Sequence, residues 1–236
     1  MLYLVATPIG NLGDMTTRAV EVLRKVDAIA CEDTRRTRQL LSHFDIPKPP
    51  LFFSYRQGNE ARIGQRILSH LHDNRDVALC SDGGYPGISD PGYRLIRAVV
   101  GEGLEMDVIP GASAVPVALL QSGLSTASYT FKGYPPRKAG RRLKFFAAEA
   151  LQPHTLICYE SPFRIAATLE SAAEALGDRR AAVCRELTKA FQEVRRGPLS
   201  DLAAEFADKP VKGEVVLVIA GKERKKTESS PRDLSP

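Results

Sequence analysis

The chain has 236 residues, 43% of them hydrophobic, with four cysteines and a formal net charge of +5. That length allows one large domain or two smaller ones, and the apolar fraction is that of an ordinary globular protein. No run of about 18 apolar residues suggests a membrane span, and the strand-like start Leu2-Tyr3-Leu4-Val5 has no features of a secretion signal, so a cytoplasmic protein is expected.

Residues 2–6 predict an apolar strand, broken by Thr7-Pro8-Ile9-Gly10-Asn11. Thr16 predicts a helix N-cap, followed by a stripe of Ala19, Val20, Val22, Leu23 and Val26. A second strand, Ala28-Ile29-Ala30-Cys31, ends at Glu32-Asp33-Thr34, and a helix follows through Leu40-Leu41. Beyond the proline-rich break at 47–50 come a short strand at 51–54 and a helix at 59–72. Val77-Ala78-Leu79-Cys80 is the next strand. It opens into Ser81-Asp82-Gly83-Gly84-Tyr85-Pro86-Gly87-Ile88-Ser89-Asp90-Pro91-Gly92, where four glycines and two prolines in twelve residues bar helix and regular strand. An amphipathic helix at 93–100, a strand at 106–109, the turn Pro110-Gly111-Ala112-Ser113-Ala114 and a helix at 115–121 complete this half.

Repeated strand–helix alternation with continuously apolar strands predicts an α/β domain: a parallel sheet with helices on both faces. Its strands end in polar or glycine-rich turns on one edge, where ligands of open α/β sheets bind. Residues 1–121 are therefore read as an N-terminal domain, and the small polar residues of 122–129 as a linker. A second α/β domain is expected over 130–221, with strands near 130–133, 155–159, 181–184, 191–195 and 215–220 and helices near 140–151, 163–176 and 199–207. Residues 222–236 lack apolar content and read as a disordered tail.

Cys31, Cys80, Cys158 and Cys184 are scattered at the ends of apolar runs, with no CxxC pair, and read as small buried side chains. No Walker A, GxGxxG, GxSxG, HExxH or EF-hand pattern occurs. Asp82 and Asp90 flank the glycine loop, but Asp before Gly or Pro is a routine turn residue, so no metal is expected. Basic clusters stand at Arg35-Arg36, at Arg137-Lys138 with Arg141-Arg142 and Lys144, at Arg179-Arg180, at Arg195-Arg196, and at Arg224-Lys225-Lys226. The Arg137 cluster follows Phe131-Lys132-Gly133-Tyr134-Pro135-Pro136, and cations beside aromatic faces suit phosphate contact and base stacking.

Seven segments occur in order: Thr7-Pro8-Ile9-Gly10-Asn11, Glu32-Asp33-Thr34-Arg35, the 81–92 loop, Pro110-Gly111-Ala112-Ser113, Tyr159-Glu160-Ser161, Arg185-Glu186-Leu187-Thr188-Lys189 and Lys212-Gly213-Glu214. Together they resemble the tetrapyrrole methylase superfamily and, within it, the ribosomal RNA small subunit methyltransferase I family, over nearly all of residues 1–222. The resemblance implies two α/β domains, the second with a mixed sheet, a homodimer, and S-adenosyl-L-methionine in the cleft between the domains. It implies 2′-O-methylation of a cytidine ribose in the decoding region of 16S ribosomal RNA, within the 30S subunit. The implied cofactor contacts are Pro8, Ile9, Gly83, Gly84, Tyr85, Ile88, Ser113, Ala114, Tyr159, Glu160 and Leu187.

Methyl transfer from an activated sulfonium needs in-line placement, while the ribose hydroxyl must lose a proton. Glu160, Glu186 and Lys189 are the candidate bases or orienters, with domain-interface ion pairs as the plainer reading. Arg35, Arg36, Arg137, Lys138, Arg141 and Arg142 are the candidate RNA contacts. Two departures stand out. The family usually has Ala-Gly-Thr-Pro where this chain has Gly83-Gly84-Tyr85-Pro86, which puts a ring where the cofactor is expected, and the family's small helical extension is replaced by a charged tail. The alternatives are a precorrin-type tetrapyrrole methyltransferase, or a non-catalytic ribosomal RNA-binding or assembly protein if Tyr85 blocks the pocket.

Overall fold

A computed structural model describes residues 1–208 and 211–223. The tail expected from residue 222 and the basic cluster at Arg224-Lys225-Lys226 lie, from residue 224 on, outside the described residues. The chain divides into two compact units: Met1–Val117 with Glu186–Gln192, and Ala118–Arg185 with the chain from Glu193 on.

The first unit is built on β1 (Leu2–Val5), β2 (Ala28–Cys31), β3 (Leu51–Ser54), β4 (Val77–Cys80) and β5 (Met106–Ile109). All are parallel, in the order β3-β2-β4-β1-β5. Their connections carry α1 (Thr17–Lys25), α2 (Thr34–His43), α3 (Glu60–His72) and α4 (Tyr93–Gly101), and α5 (Ala114–Ser122) follows β5. The period-two alternation of strand side chains sorts the core into two layers. Leu2, Leu4, Ala28, Ala30, Val77 and Leu79 pack with Ile63, Ile67 and Leu71 of α3 and Leu95 and Val99 of α4. Val5, Ile29, Cys31, Ala78 and Cys80 pack with Ala19 and Leu23 of α1 and Leu41 of α2 on the other face. Burial on both faces is why these strands read as unbroken apolar runs. The α1 start behaves as its sequence predicts: the Thr16 side chain accepts the Ala19 amide at 3.2 Å.

The second unit holds a mixed sheet of β6 (Tyr129–Phe131), β7 (Thr155–Glu160), β8 (Arg180–Arg185), β9 (Glu193–Pro198) and β10 (Val215–Ile219), in the order β6-β7-β10-β8-β9. Only β6 and β7 pair in parallel; β10 runs antiparallel to both β7 and β8, and β9 antiparallel to β8. The helices α6 (Ala139–Ala147), α7 (Ile165–Leu176) and α8 (Leu199–Asp208) cover one face through Phe146, Leu169, Ala172, Leu202 and Phe206. The last sequence-predicted strand before α8 is displaced, from 191–195 to Glu193–Pro198, because residues 186–192 group with the first unit.

All four cysteines are free and buried, and burial pushes the Cys31 and Cys184 thiols up to about 11 and Cys158 up to about 12. They are packing residues, as the sequence suggested. Among the described residues no helix is long and apolar enough to cross a membrane, and no cluster of His, Cys, Asp and Glu could hold a metal ion.

Candidate active site at the carboxyl edge of the first sheet

Three strand-end loops are tied together at this edge, and backbone does most of the tying. Thr7, just past β1, exchanges two hydrogen bonds with Gly84: its amide donates to the Gly84 carbonyl at 3.0 Å, and the Gly84 amide donates back at 2.9 Å. The Thr7 hydroxyl donates to the Ser81 carbonyl at 3.1 Å, and the Ser81 hydroxyl donates to the Gly84 carbonyl at 3.1 Å. Gly84 makes this link with φ of +82°, a left-handed conformation that a side chain disfavours. The chain leaves β1 toward β2 and leaves β4 toward β5 on the opposite side, so these adjacent strand ends sit where the crossovers reverse direction.

Tyr85 ties in the third loop. Its hydroxyl accepts the Gly111 amide at 3.0 Å, so the phenol bridges the loop after β4 to the turn after β5. The ring that the sequence flagged is thus held by its polar end against the turn after β5. Of the other sequence-predicted positions, Pro8 is buried, Ile9, Gly83, Ser113 and Ala114 are half-buried in these loops, and Ile88 is exposed.

Leu187 reaches the first unit on the Glu186–Gln192 segment. Gly10 accommodates that segment: a Cβ there would lie 2.5 Å from Cγ of Lys189 and 2.8 Å from Oγ1 of Thr188. The Asn11 amide donates to the Thr188 hydroxyl at 3.0 Å. Glu186 and Thr188 hold φ of +51° and +65°, left-handed values that are strained for non-glycine residues. The strain is offset locally. The Thr188 amide donates to the Gln192 side chain at 2.6 Å, and Lys189 Nζ donates to the Glu186 carboxylate at 3.0 Å.

Farther along the edge, the Asp82 carboxylate accepts the Asp33 amide at 3.0 Å and lies 3.5 Å from the Arg36 guanidinium. Arg35 forks onto Asp33 at 2.8 and 3.2 Å and holds that carboxyl well below the usual range. Burial, reinforced by Asp82, raises Glu32. The Arg35 and Arg36 side chains themselves remain largely exposed.

Tyr159, Glu160 and the Arg137 cluster belong to the second unit. Glu160, only 3% exposed, accepts from the Ser161 amide at 2.6 Å, the Thr168 hydroxyl at 2.6 Å and the Arg164 guanidinium at 2.9 Å. Arg137, Lys138 and Arg141 are exposed. Arg142 is not on that surface: it is 7% exposed, with Nε on the Ser171 hydroxyl at 3.0 Å and NH1 on the Arg137 carbonyl at 3.2 Å. Its place was open to helical periodicity, because position 142 lies four residues before buried Phe146, on the same face of α6.

Sequence reasoning quoted Thr7, Gly10, Asn11, Ser81, Gly111 and Thr188 within motifs without assigning them roles; here they are the groups that organise the edge. The resulting wall offers amides, carbonyls and small side chains and carries no metal-ligand cluster among the described residues. Such a surface fits an adenosyl and amino-acid ligand, which needs close backbone approach and shape more than strong acids or metals.

Known proteins share this fold. Residues 1–203 match the family model described as Tetrapyrrole (Corrin/Porphyrin) Methylases. Two relatives named Ribosomal RNA small subunit methyltransferase I, from Synechocystis and from Halalkalibacterium halodurans, are 46% and 44% identical over 94% and 93% of this chain. Those alignments cover 79% and 75% of the relatives' own lengths. Among solved structures, the methyltransferase CobJ superposes with a TM-score of 0.71 at 17% identity, covering 94% of this chain and 95% of that one. Uroporphyrin-III-C-methyltransferase from Thermus thermophilus gives 0.64 at 20% identity, covering 92% and 93%. The chain belongs to the ribosomal RNA small subunit methyltransferase I family of the tetrapyrrole methylases, and its chemistry is methyl transfer from S-adenosyl-L-methionine.

Proposed function

We propose that this enzyme methylates the ribose 2′-oxygen of a cytidine in the decoding region of 16S ribosomal RNA, acting in the cytoplasm as a homodimer on the 30S subunit. The observation that carries this reading is identity of 44–46% over at least 93% of the chain to relatives whose names specify small-subunit ribosomal RNA. The two solved methyltransferases share the fold at identities too low to carry a substrate.

The cofactor supplies a methyl group already activated on a sulfonium. In this reading Pro8, Ile9, Gly83, Gly84, Tyr85, Ile88, Ser113, Ala114 and Leu187 hold it, chiefly through backbone, and fix its orientation. Proton removal from the ribose hydroxyl is assigned to the Glu186–Lys189 pair, which lies on the strained segment against Gly10 and Asn11. Glu160 is assigned a positioning role, because three donors already engage its carboxylate. The RNA backbone is assigned to Arg35, Arg36, Arg137, Lys138 and Arg141, and Arg142 to holding the loop from beneath.

Mapping ribose methylation on 16S RNA from cells lacking the protein tests the substrate: one 2′-O-methyl mark should disappear, and an unchanged map refutes this reading. Calorimetry with S-adenosyl-L-methionine tests the pocket independently of RNA.

A further inference from the structure

The loop between β6 and α6 is braced as a rigid platform. Arg164 of the second unit donates to the Pro135 carbonyl at 2.7 Å while its guanidinium is gripped by Glu160 at 2.9 Å. Two residues on, buried Arg142 donates to the Arg137 carbonyl at 3.2 Å. Two arginines therefore hold successive stretches of one loop through its backbone, leaving its outward side chains set in place. On that outward side Tyr134 is 58% exposed, although its ring packs edge-on against Tyr159 at 5.6 Å, and Tyr159 in turn packs on Phe131 at 4.7 Å. Phe163, adjacent in sequence to the bracing Arg164, is 88% exposed.

The charge of this surface is equally one-sided. Arg137, Lys138 and Arg141 are exposed at the start of α6, whose first turn contains no acidic residue. Among the described residues no carboxylate pairs with any of the three. Cations gathered at the positive end of a helix dipole are unfavourable to the protein alone, and an incoming anion relieves that. Exposed aromatic side chains beside unneutralised cations match a single-stranded nucleic acid, which presents stackable bases and a phosphate chain.

We propose that residues 134–141 and Phe163 form a docking platform for single-stranded RNA. Tyr134 stacks on a base, and Arg137, Lys138 and Arg141 contact the phosphates. This rests on an RNA substrate and adds to it the element that reads an unpaired strand.

Fluorescence anisotropy of the full chain with a labelled single-stranded RNA of the decoding region tests it. Tyr134→Ala should weaken binding roughly tenfold while leaving the salt dependence unchanged, and Tyr134→Phe should bind as wild type. The triple variant R137Q/K138Q/R141Q should lower the slope of log affinity against log salt by roughly two units. Thermal melting should match wild type for the triple variant, whose altered side chains are exposed, while Tyr134→Ala, which gives up the edge-on contact with Tyr159, should melt slightly lower and still fold. Wild-type affinity and salt slope in both Tyr134→Ala and the triple variant would overturn the proposal. So would a change of oligomeric state in Tyr134→Ala with RNA affinity intact, which would make the surface an interface between copies. Loss of the substrate reading is separately visible: the 16S methylation map would be unchanged in cells lacking the protein, while Tyr134-dependent RNA binding could persist.

Discussion

The Tyr85 hydroxyl accepts the Gly111 amide at 3.0 Å, joining the loop after β4 to the turn after β5. A threonine at this position would be too short to make that bridge. Tyr85→Phe keeps the ring and leaves a partly buried amide without its acceptor, at a cost of about 1 kcal/mol. The melting temperature should fall by about 2–4 °C, as read by calorimetry. Affinity for S-adenosyl-L-methionine should fall with it; unchanged values for both would show that the bridge does not organise this edge.

Gly10 has no room for a side chain beside Lys189 and Thr188. Gly10→Ala should displace the Glu186–Gln192 segment and weaken cofactor binding by roughly tenfold, with a smaller loss of global stability, because the site depends on placement within fractions of an ångström. Titration calorimetry alongside urea denaturation separates the two effects.

Glu160 and Arg164 form a buried ion pair in which the carboxylate side chain is 0% exposed. Removing one partner leaves an uncompensated charge, so Glu160→Ala should destabilise the protein by about 3 kcal/mol in urea denaturation. Glu160→Gln should retain measurable methyl transfer if Glu160 is a positioning residue. Complete loss in a folded Gln variant would make it the proton acceptor.

The Glu149 carboxylate is opposed by burial but held below its usual range by Lys132 at 2.7 Å and His154 at 3.1 Å. A depressed folded-state pKa contributes stability above the unfolded value of about 4.3, which is lost as pH falls through the folded value. The urea midpoint should therefore decline below about pH 4.3. Lys132→Met should flatten that part of the decline, and an identical profile would show that the pair does not contribute.

The parallel sheet and its loops were legible because unbroken apolar strands and glycine-rich turns are local signals. Thr16, the strand from Val77 and the 81–92 loop could each be read within a dozen residues. The bridge from Tyr85 to Gly111 could not, since a tyrosine in a glycine loop gives no indication of where its hydroxyl points. Arg142 was read with its basic neighbours because charge dominates a short window, whereas its four-residue offset from Phe146 places it on the buried stripe. Assignment of Glu186–Gln192 to the first unit had no local signal at all: the segment sits in sequence between two strands of the second sheet.

That last feature governs how the protein must be made. Asn11 meets Thr188 across a sequence separation of 177 residues, so an amino-terminal unit emerging from the ribosome lacks part of itself until most of the chain has been synthesised. Closing so long a loop is slow, and the nascent sheet edge stays unfinished meanwhile. Binding competence should consequently appear late in synthesis, in one step, after β8 has left the exit tunnel.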